Sequence, residues 1–386
     1  MIVEIYKIPI EVAFITFPIV AFFFTLPFLI YEYHKYGAIP LIKSIVVYSF
    51  ILYMLTAYFM VILPLPKISD VLNYKGPTMQ LIPFQFVNDI KATSTLTLNS
   101  IQSILTFLNK STVYTVLFNI LLTLPFGIYL KYLFNKKWYQ AIFASFLLSL
   151  FFELTQLSGL YGIYPRPYRL FDVDDLIINT AGGTIGYIIS PLFLMFLPSR
   201  EELTNQSYKK GQKVSIIRRS VALFIDIIFL CIFSLLFKVI LLGTKIHNFY
   251  FILAIIFYYI IVPVFNNTKT FGKTIVKLEI VSQNVKLKLF INTLRNILLT
   301  FLIIYPFAWI NLIENQNYRK ISVIAILLIQ IINIISFLVP LNKKHLFLYE
   351  RLTRTENKSV IYFENQVKKE DNLENEVNTN EEETSK

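Results

Sequence analysis

The chain has 386 residues, is 55% hydrophobic and 16% charged, and carries a formal charge of +12 with a mean hydropathy of +0.60. A water-soluble domain cannot hide that much apolar surface. Several runs exceed about 18 residues with few or no charges, so the expectation is an all-α polytopic membrane protein. The net positive charge then reports Lys and Arg of cytoplasmic loops instead of a nucleic-acid partner, and the single cysteine, Cys231, excludes a disulfide or cysteine-based metal framework.

Nine spans are expected in two helical bundles, at about 9–31, 41–64, 113–134, 138–158, 176–197, 219–242, 249–265, 296–313 and 321–341. The seventh and eighth are short for a full crossing. The first apolar run, Pro9 to Ile30, is too long for a signal-peptide core, Glu4 and Glu11 interrupt its basic flank, and no A-x-A site follows, so it reads as a retained span. A long loop, 65–112, separates the second and third spans. It holds MQLIPFQFV at Met79 to Val87, and Ile101, Ile104, Leu105 and Leu108 mark an amphipathic helix suited to the membrane interface.

Residues 201–213 are polar and read as a domain linker. Segment 266–292 alternates apolar and polar residues, so Ile275 to Val281 is expected as a strand, with 285–290 as its partner in a short β-hairpin. The tail, 363–386, is acidic and reads as disordered. Basic residues concentrate in the loops after the first, third, fifth, seventh and ninth spans. The positive-inside rule therefore favours an outer N-terminus and a cytoplasmic C-terminus in a cell membrane.

The densest polar cluster lies between Ser145 and Tyr187. Ser149, Glu153 and Gln156 sit at i, i+4 and i+7 and share one helix face; Asp172, Asp175 and Asn179 do the same at i, i+3 and i+7. Arg166 and Arg169 lie between the two sets. Carboxylates at this depth are costly unless they face a partner or a cavity, so Glu153 is expected to pair with Arg166 or Arg169 beneath an outward-facing pocket. Asp172, Asp174 and Asp175 read as helix N-cap chemistry more readily than as a metal site. Gly182 and Gly186 form G-x-x-x-G, which permits close helix approach. Asn119, above Pro125-Phe126-Gly127, reads as an interhelical hydrogen bond with a kink below it, or equally as part of the pocket floor.

In the second half, Arg219 and Asp226 are seven apart on one span and are expected to pair. Gly272-Lys273-Thr274 ends like a phosphate loop, but Asn267 stands where the first glycine belongs, and the match is discarded. Neither H-E-x-x-H nor G-x-S-x-G occurs, and His34, His247 and His345 are remote from the cluster, so Zn or Ser–His hydrolysis is unsupported and no cofactor is expected.

At these residues the chain resembles two families in tandem. Residues 1–200 resemble the VanZ-like family of Gram-positive membrane proteins. The likeness rests on Leu81-Ile82-Pro83-Phe84, Asn119 with Pro125-Phe126-Gly127, Ser149-x₃-Glu153-x₂-Gln156 and Arg169-x₂-Asp172-x₂-Asp175-Leu176-x₂-Asn179. Residues 214–362 resemble the RDD family through Arg219-x₂-Ala222-x₃-Asp226, Lys269-Thr270-x-Gly272-Lys273 and Leu348-Tyr349-Glu350-Arg351. There Glu350 stands where the family has its second Asp.

The first resemblance implies a link to teicoplanin-type glycopeptide resistance, the second a part in transport. Two functions from different classes follow. One is an envelope factor whose outward site (Asn119, Ser149, Glu153, Gln156, Arg166, Arg169, Asp172, Asp175 and Asn179) binds an amphiphilic antibiotic, a lipid headgroup or a cell-wall precursor. The other is an ion- or proton-coupled transporter using Arg219, Asp226 and Glu350. An enzyme acting on lipid-linked substrates, with Glu153 or an Asp as acid or base, is a third. The bilayer is the one partner the composition requires.

Overall fold

The computed structural model describes residues 2–93, 106–108, 110–243, 249–282, 287–300, 316–338 and 346–361. The expected interfacial helix at 101–108 lies mostly outside these residues; so does most of the eighth span, 296–313, and the whole acidic tail. Among the described residues, six helices are long and apolar enough to cross a membrane: Lys7–Lys35, Leu41–Ile62, Ser111–Tyr132, Trp138–Leu157, Val173–Leu194 and Ile216–Ile240. Two apolar runs are shorter, Tyr250–Phe265 and Lys320–Ser336. The protein is a predominantly helical, multi-pass membrane protein.

The chain divides into two compact units. The first comprises residues 1–25 and 40–203, the second residues 26–39 and 204–386. The long first helix, α1 (Ile2–Lys35), contributes to both. The polar stretch expected as a linker is largely helical, Arg200–Gly211.

In the first unit, α2 (Leu41–Ile62) leads into α3 (Ile68–Asn73), β1 (Met79–Gln80) and α4 (Gln85–Thr93). Then come α5 (Ser111–Tyr132), α6 (Trp138–Leu157), β2 (Phe171–Asp172) and α7 (Val173–Leu194). Apolar packing of Ala57, Phe126, Leu130, Ala141, Leu148 and Phe152 forms the core between α2, α5 and α6. Helices α5 and α7 touch backbone to backbone: a Cβ on Gly127 would lie 1.9 Å from Gly183 O, and one on Gly186 1.9 Å from Leu124 O. The foreseen pair, Gly182 and Gly186, lies against the α5 backbone at Ile120 and Leu124, while Gly127 of α5 meets Gly183 between them.

The second unit resumes within helix α8 (Arg200–Gly211), which is followed by α9 (Ile216–Ile240), α10 (Tyr250–Phe265) and α11 (Phe271–Ile275). β3 (Leu278–Ser282), α12 (Lys288–Leu299), α13 (Gln316–Leu338), α14 (Leu348–Thr353) and β4 (Thr355–Ser359) complete it. The strand expected near Ile275 to Val281 is present as β3, but its partner is not 285–290. β3 pairs antiparallel with β4, Leu278 opposite Ser359 and Ser282 opposite Thr355. From Lys288 the chain is already helical, because Leu294, Ile297 and Leu298 recur at helical spacing and outweigh the short alternation before them.

Helix α10 contains a π-turn at Phe257–Ile261. Pro263 has no N–H to give the carbonyl of Tyr259 four residues earlier, and Asn296 Nδ2 supplies the missing donor at 3.1 Å.

Candidate functional site

The first cluster assembles where α5, α6 and α7 meet. Ser149, Glu153 and Gln156 do face inward together, at 0%, 2% and 7% exposure. Glu153 Oε2 accepts the backbone N–H of Asp172 at 2.9 Å. Asp172 in turn caps α7, accepting Asp174 N at 2.8 Å. Asn119 Nδ2 donates to Asp175 Oδ1 at 2.8 Å, and Asn179 Nδ2 to Ser149 Oγ at 3.1 Å. Ser149 Oγ donates onward to the carbonyl of Asp175 at 3.2 Å, and Thr123 Oγ1 to that of Asn179 at 2.8 Å. Burial raises the Asp172 carboxyl above its ordinary range, against the pull of the N–H it accepts.

The arginines do not pair with Glu153. Arg169 lays its guanidinium across the C-terminus of α2, donating to Val61 O at 2.9 Å and Leu63 O at 3.1 Å, while Gln156 Nε2 donates to Val61 O at 3.0 Å. A helix end offers unsatisfied carbonyls in a negative field, and a planar cation satisfies two of them at once. Arg166 donates to Tyr74 O and to Gly76 O, with its guanidinium over the Tyr74 ring. Arg166 therefore ties the long loop to the α6–α7 hairpin, and Arg169 ties the end of α2 to it. Glu153 stays within electrostatic reach of Arg169, Asp172 and Asp175.

Asp174 has a role that spacing did not reveal. It is 3% exposed, and its two oxygens take the N–H groups of Phe84 and Phe86 at 2.5 and 2.8 Å. Phe84 has φ of 65°, a left-handed conformation that the carboxylate clamp holds in place. Met79 and Gln80 pair in parallel with Phe171 and Asp172, so the Leu81-Ile82-Pro83-Phe84 stretch is stitched onto the α7 N-terminus. Among the described residues, no three His, Cys, Asp or Glu side chains are placed to hold a metal ion.

The second cluster lies in the other unit. The expected Arg219–Asp226 pair does not form. Asp226 instead accepts Tyr258 OH at 2.6 Å, Gly272 N at 2.8 Å and Thr270 Oγ1 at 2.9 Å. Gly272 is required for this approach, since a Cβ there would lie 2.1 Å from Ala222 O. Arg219 pairs with Glu350 Oε2 at 3.1 Å, and Arg295 with Glu350 Oε1 at 3.0 Å. A single arginine about two helical turns away offers Asp226 less than three donors arriving from α10 and the start of α11.

Sequence reasoning missed Arg295, Tyr258 and Asn357 as site residues, and named Lys273 only within a motif. The spacing of Asn292, Arg295, Asn296 and Leu299 at i, i+3, i+4 and i+7 was the available signal for α12. Arg218, beside Arg219, was also passed over. It is fully buried and donates to the carbonyls of Gly211, Val276 and Lys277 and to Ser359 Oγ, tying β3 and β4 to the α9 N-terminus.

Comparison with known families agrees with the two halves. Residues 50–197 match the VanZ/LLP1 family, and residues 213–348 match the RDD family. No curated protein and no solved structure matches the chain.

Proposed function

We propose that this fusion of a VanZ-like and an RDD region is an envelope factor that binds an amine-bearing amphiphile at the outer membrane surface. The reading links it to resistance against teicoplanin-type glycopeptides or cationic antimicrobial peptides. The observation that carries it is a set of carboxylates only half used. Glu153 and Asp175 each spend one oxygen inside the unit, and Glu153 Oε1 and Asp175 Oδ2 accept no hydrogen bond among the described residues. Arg166 is committed to loop carbonyls and Arg169 to those at the end of α2, so the site offers acceptors, and its ligand brings donors such as ammonium or sugar hydroxyl groups.

The basic-residue pattern supports an outer N-terminus and a cytoplasmic C-terminus, which turns the α6–α7 hairpin outward. The RDD half then anchors the protein or couples it to a partner. Transport through Arg219, Asp226 and Glu350 takes second place, because all three are held by hydrogen bonds within their unit.

The test is antibiotic susceptibility in matched strains carrying wild type, Glu153→Gln or Asp175→Asn at equal membrane levels. Each substitution is expected to abolish protection against lipoglycopeptides and cationic peptides. Protection equal to wild type in both variants would remove the proposal.

A further inference from the structure

Donors and acceptors do not balance in the second unit. Its buried carboxylates are full. Asp226 accepts three donors, and Glu350 accepts four: Arg295 Nη2, Asn357 Nδ2, Arg219 Nη1 and the backbone N–H of Phe347. The cations around them are not. Arg295 is fully buried, yet its Nε and Nη1 have no acceptor among the described residues. Lys273 is 6% exposed and lines the same cavity, within electrostatic reach of Arg295, Asp226 and Glu350.

Lys273, Arg295, Arg219, Asn357 and Asp226 line one cavity of about 80 Å³. Three cations, Lys273, Arg295 and Arg219, stand against two carboxylates, Asp226 and Glu350, which leaves one positive charge in excess. Guanidinium donors buried without acceptors are unfavourable, and an unbalanced positive charge beside them adds to that. An arriving anion removes that cost.

We propose that this cavity binds a small monovalent inorganic anion of the chloride or nitrate class, held by Arg295 Nε and Nη1 and by the Lys273 ammonium. The cavity has room for a small ion together with a few waters. The carboxylates stay saturated by their own donors and do not contest the site. A monovalent ion also cancels the charge excess without overshooting it.

The site is sensitive to pH. Lys273 faces Arg295 on α12, Asp226 on α9 and Glu350 on α14, and burial, followed by the Arg295 charge, brings its ammonium down to about 7. Above that pH the empty cavity loses its charge excess, so anion affinity falls as pH rises.

The experiment uses the full chain purified in a neutral detergent. Thermal unfolding is followed in sodium chloride or sodium nitrate against sodium gluconate at equal ionic strength. A saturable rise in melting temperature is expected in chloride and nitrate at about pH 6, and a smaller one at about pH 9. Lys273→Gln abolishes the rise and Lys273→Arg keeps it. Identical melting in all three salts, or the same rise in Lys273→Gln, overturns the proposal. Should Lys273→Gln not fold, chloride NMR linewidths of the wild-type protein decide. Excess broadening that nitrate competes away supports the site, and its absence overturns it. Neither outcome depends on antibiotic protection, so the test is independent of the outer site.

Discussion

Replacing Glu350 by Gln probes the junction on which the second unit turns. The carboxylate is fully buried and bridges Arg295 at 3.0 Å and Arg219 at 3.1 Å, with Asn357 Nδ2 and Phe347 N completing its shell. Glutamine has nearly the same shape but no charge, and its NH₂ must face donors on one side or the other. Removing one partner of a buried ion pair costs about 3–5 kcal/mol, because the remaining charge is stranded. For a unit of this size that corresponds to a fall in melting temperature of roughly 6–20 °C.

Aspartate is the informative second variant. One methylene shorter, it loses about 1.5 Å of reach and can hold one arginine but not both, so its loss is smaller than that of Gln and still clear. Thermal unfolding of purified protein reads both, and adding Arg295→Met to Glu350→Gln should recover part of the loss, since the stranded charge is then gone. If Glu350→Gln melts within about 0.5 kcal/mol of wild type, the buried bridge is not a determinant of stability and the reasoning fails.

Gly186→Ala places a methyl against the Leu124 carbonyl, where the gap is 1.9 Å; α5 and α7 must part, at about 1–3 kcal/mol, and unchanged melting would mean the helices do not touch there. Arg169→Lys leaves one ammonium where two bonds at 2.9 and 3.1 Å existed, so faster amide exchange at the C-terminus of α2 is expected, with a loss of about 1 kcal/mol. Asp174→Asn removes one of the two acceptors for Phe84 and Phe86, and should make residues 79–86 more susceptible to limited proteolysis while α7 stays folded. Lys273 gives a pH signature: its folded pKa of about 7 lies below the unfolded value of about 10.5, so the unfolded chain binds more protons between the two, and stability rises with pH across that window by a few kcal/mol. Lys273→Gln should flatten the rise, and a wild-type profile that falls from pH 7 to 10 contradicts the assigned environment.

The helices and their inward polar faces could be read from the chain, because 3.6-residue spacing and the cost of burying charge act locally. Ser149, Glu153 and Gln156 face one another's neighbours as their spacing requires. Partner choice could not be read, because it depends on groups that spacing does not rank. A guanidinium between two acids looks like an ion-pair donor, yet Arg169 finds the open carbonyls at the end of α2, which charge counting ignores. Asp226 likewise looked toward Arg219 on its own helix, while its donors came from Tyr258, Thr270 and the Gly272 amide, residues 32 to 46 positions away. The β3–β4 pairing failed for the same reason. Alternation near 275–290 signals strand character, but the strand's partner lies past α13.

What each unit leaves unsatisfied separates the two chemically. In the first, the arginines are consumed by backbone carbonyls of the long loop and of the α2 end, and Asp174 by two backbone amides, so the residual capacity is acceptor oxygen on Glu153 and Asp175. In the second, Glu350 and Asp226 are saturated and the residual capacity is donor nitrogen on Arg295 and Lys273. A single ligand chemistry cannot serve both, because a group that relieves stranded donors adds repulsion beside half-used carboxylates. The chain therefore joins a donor-seeking cluster to an acceptor-seeking one, which is why the two proposed ligands are of opposite chemistry.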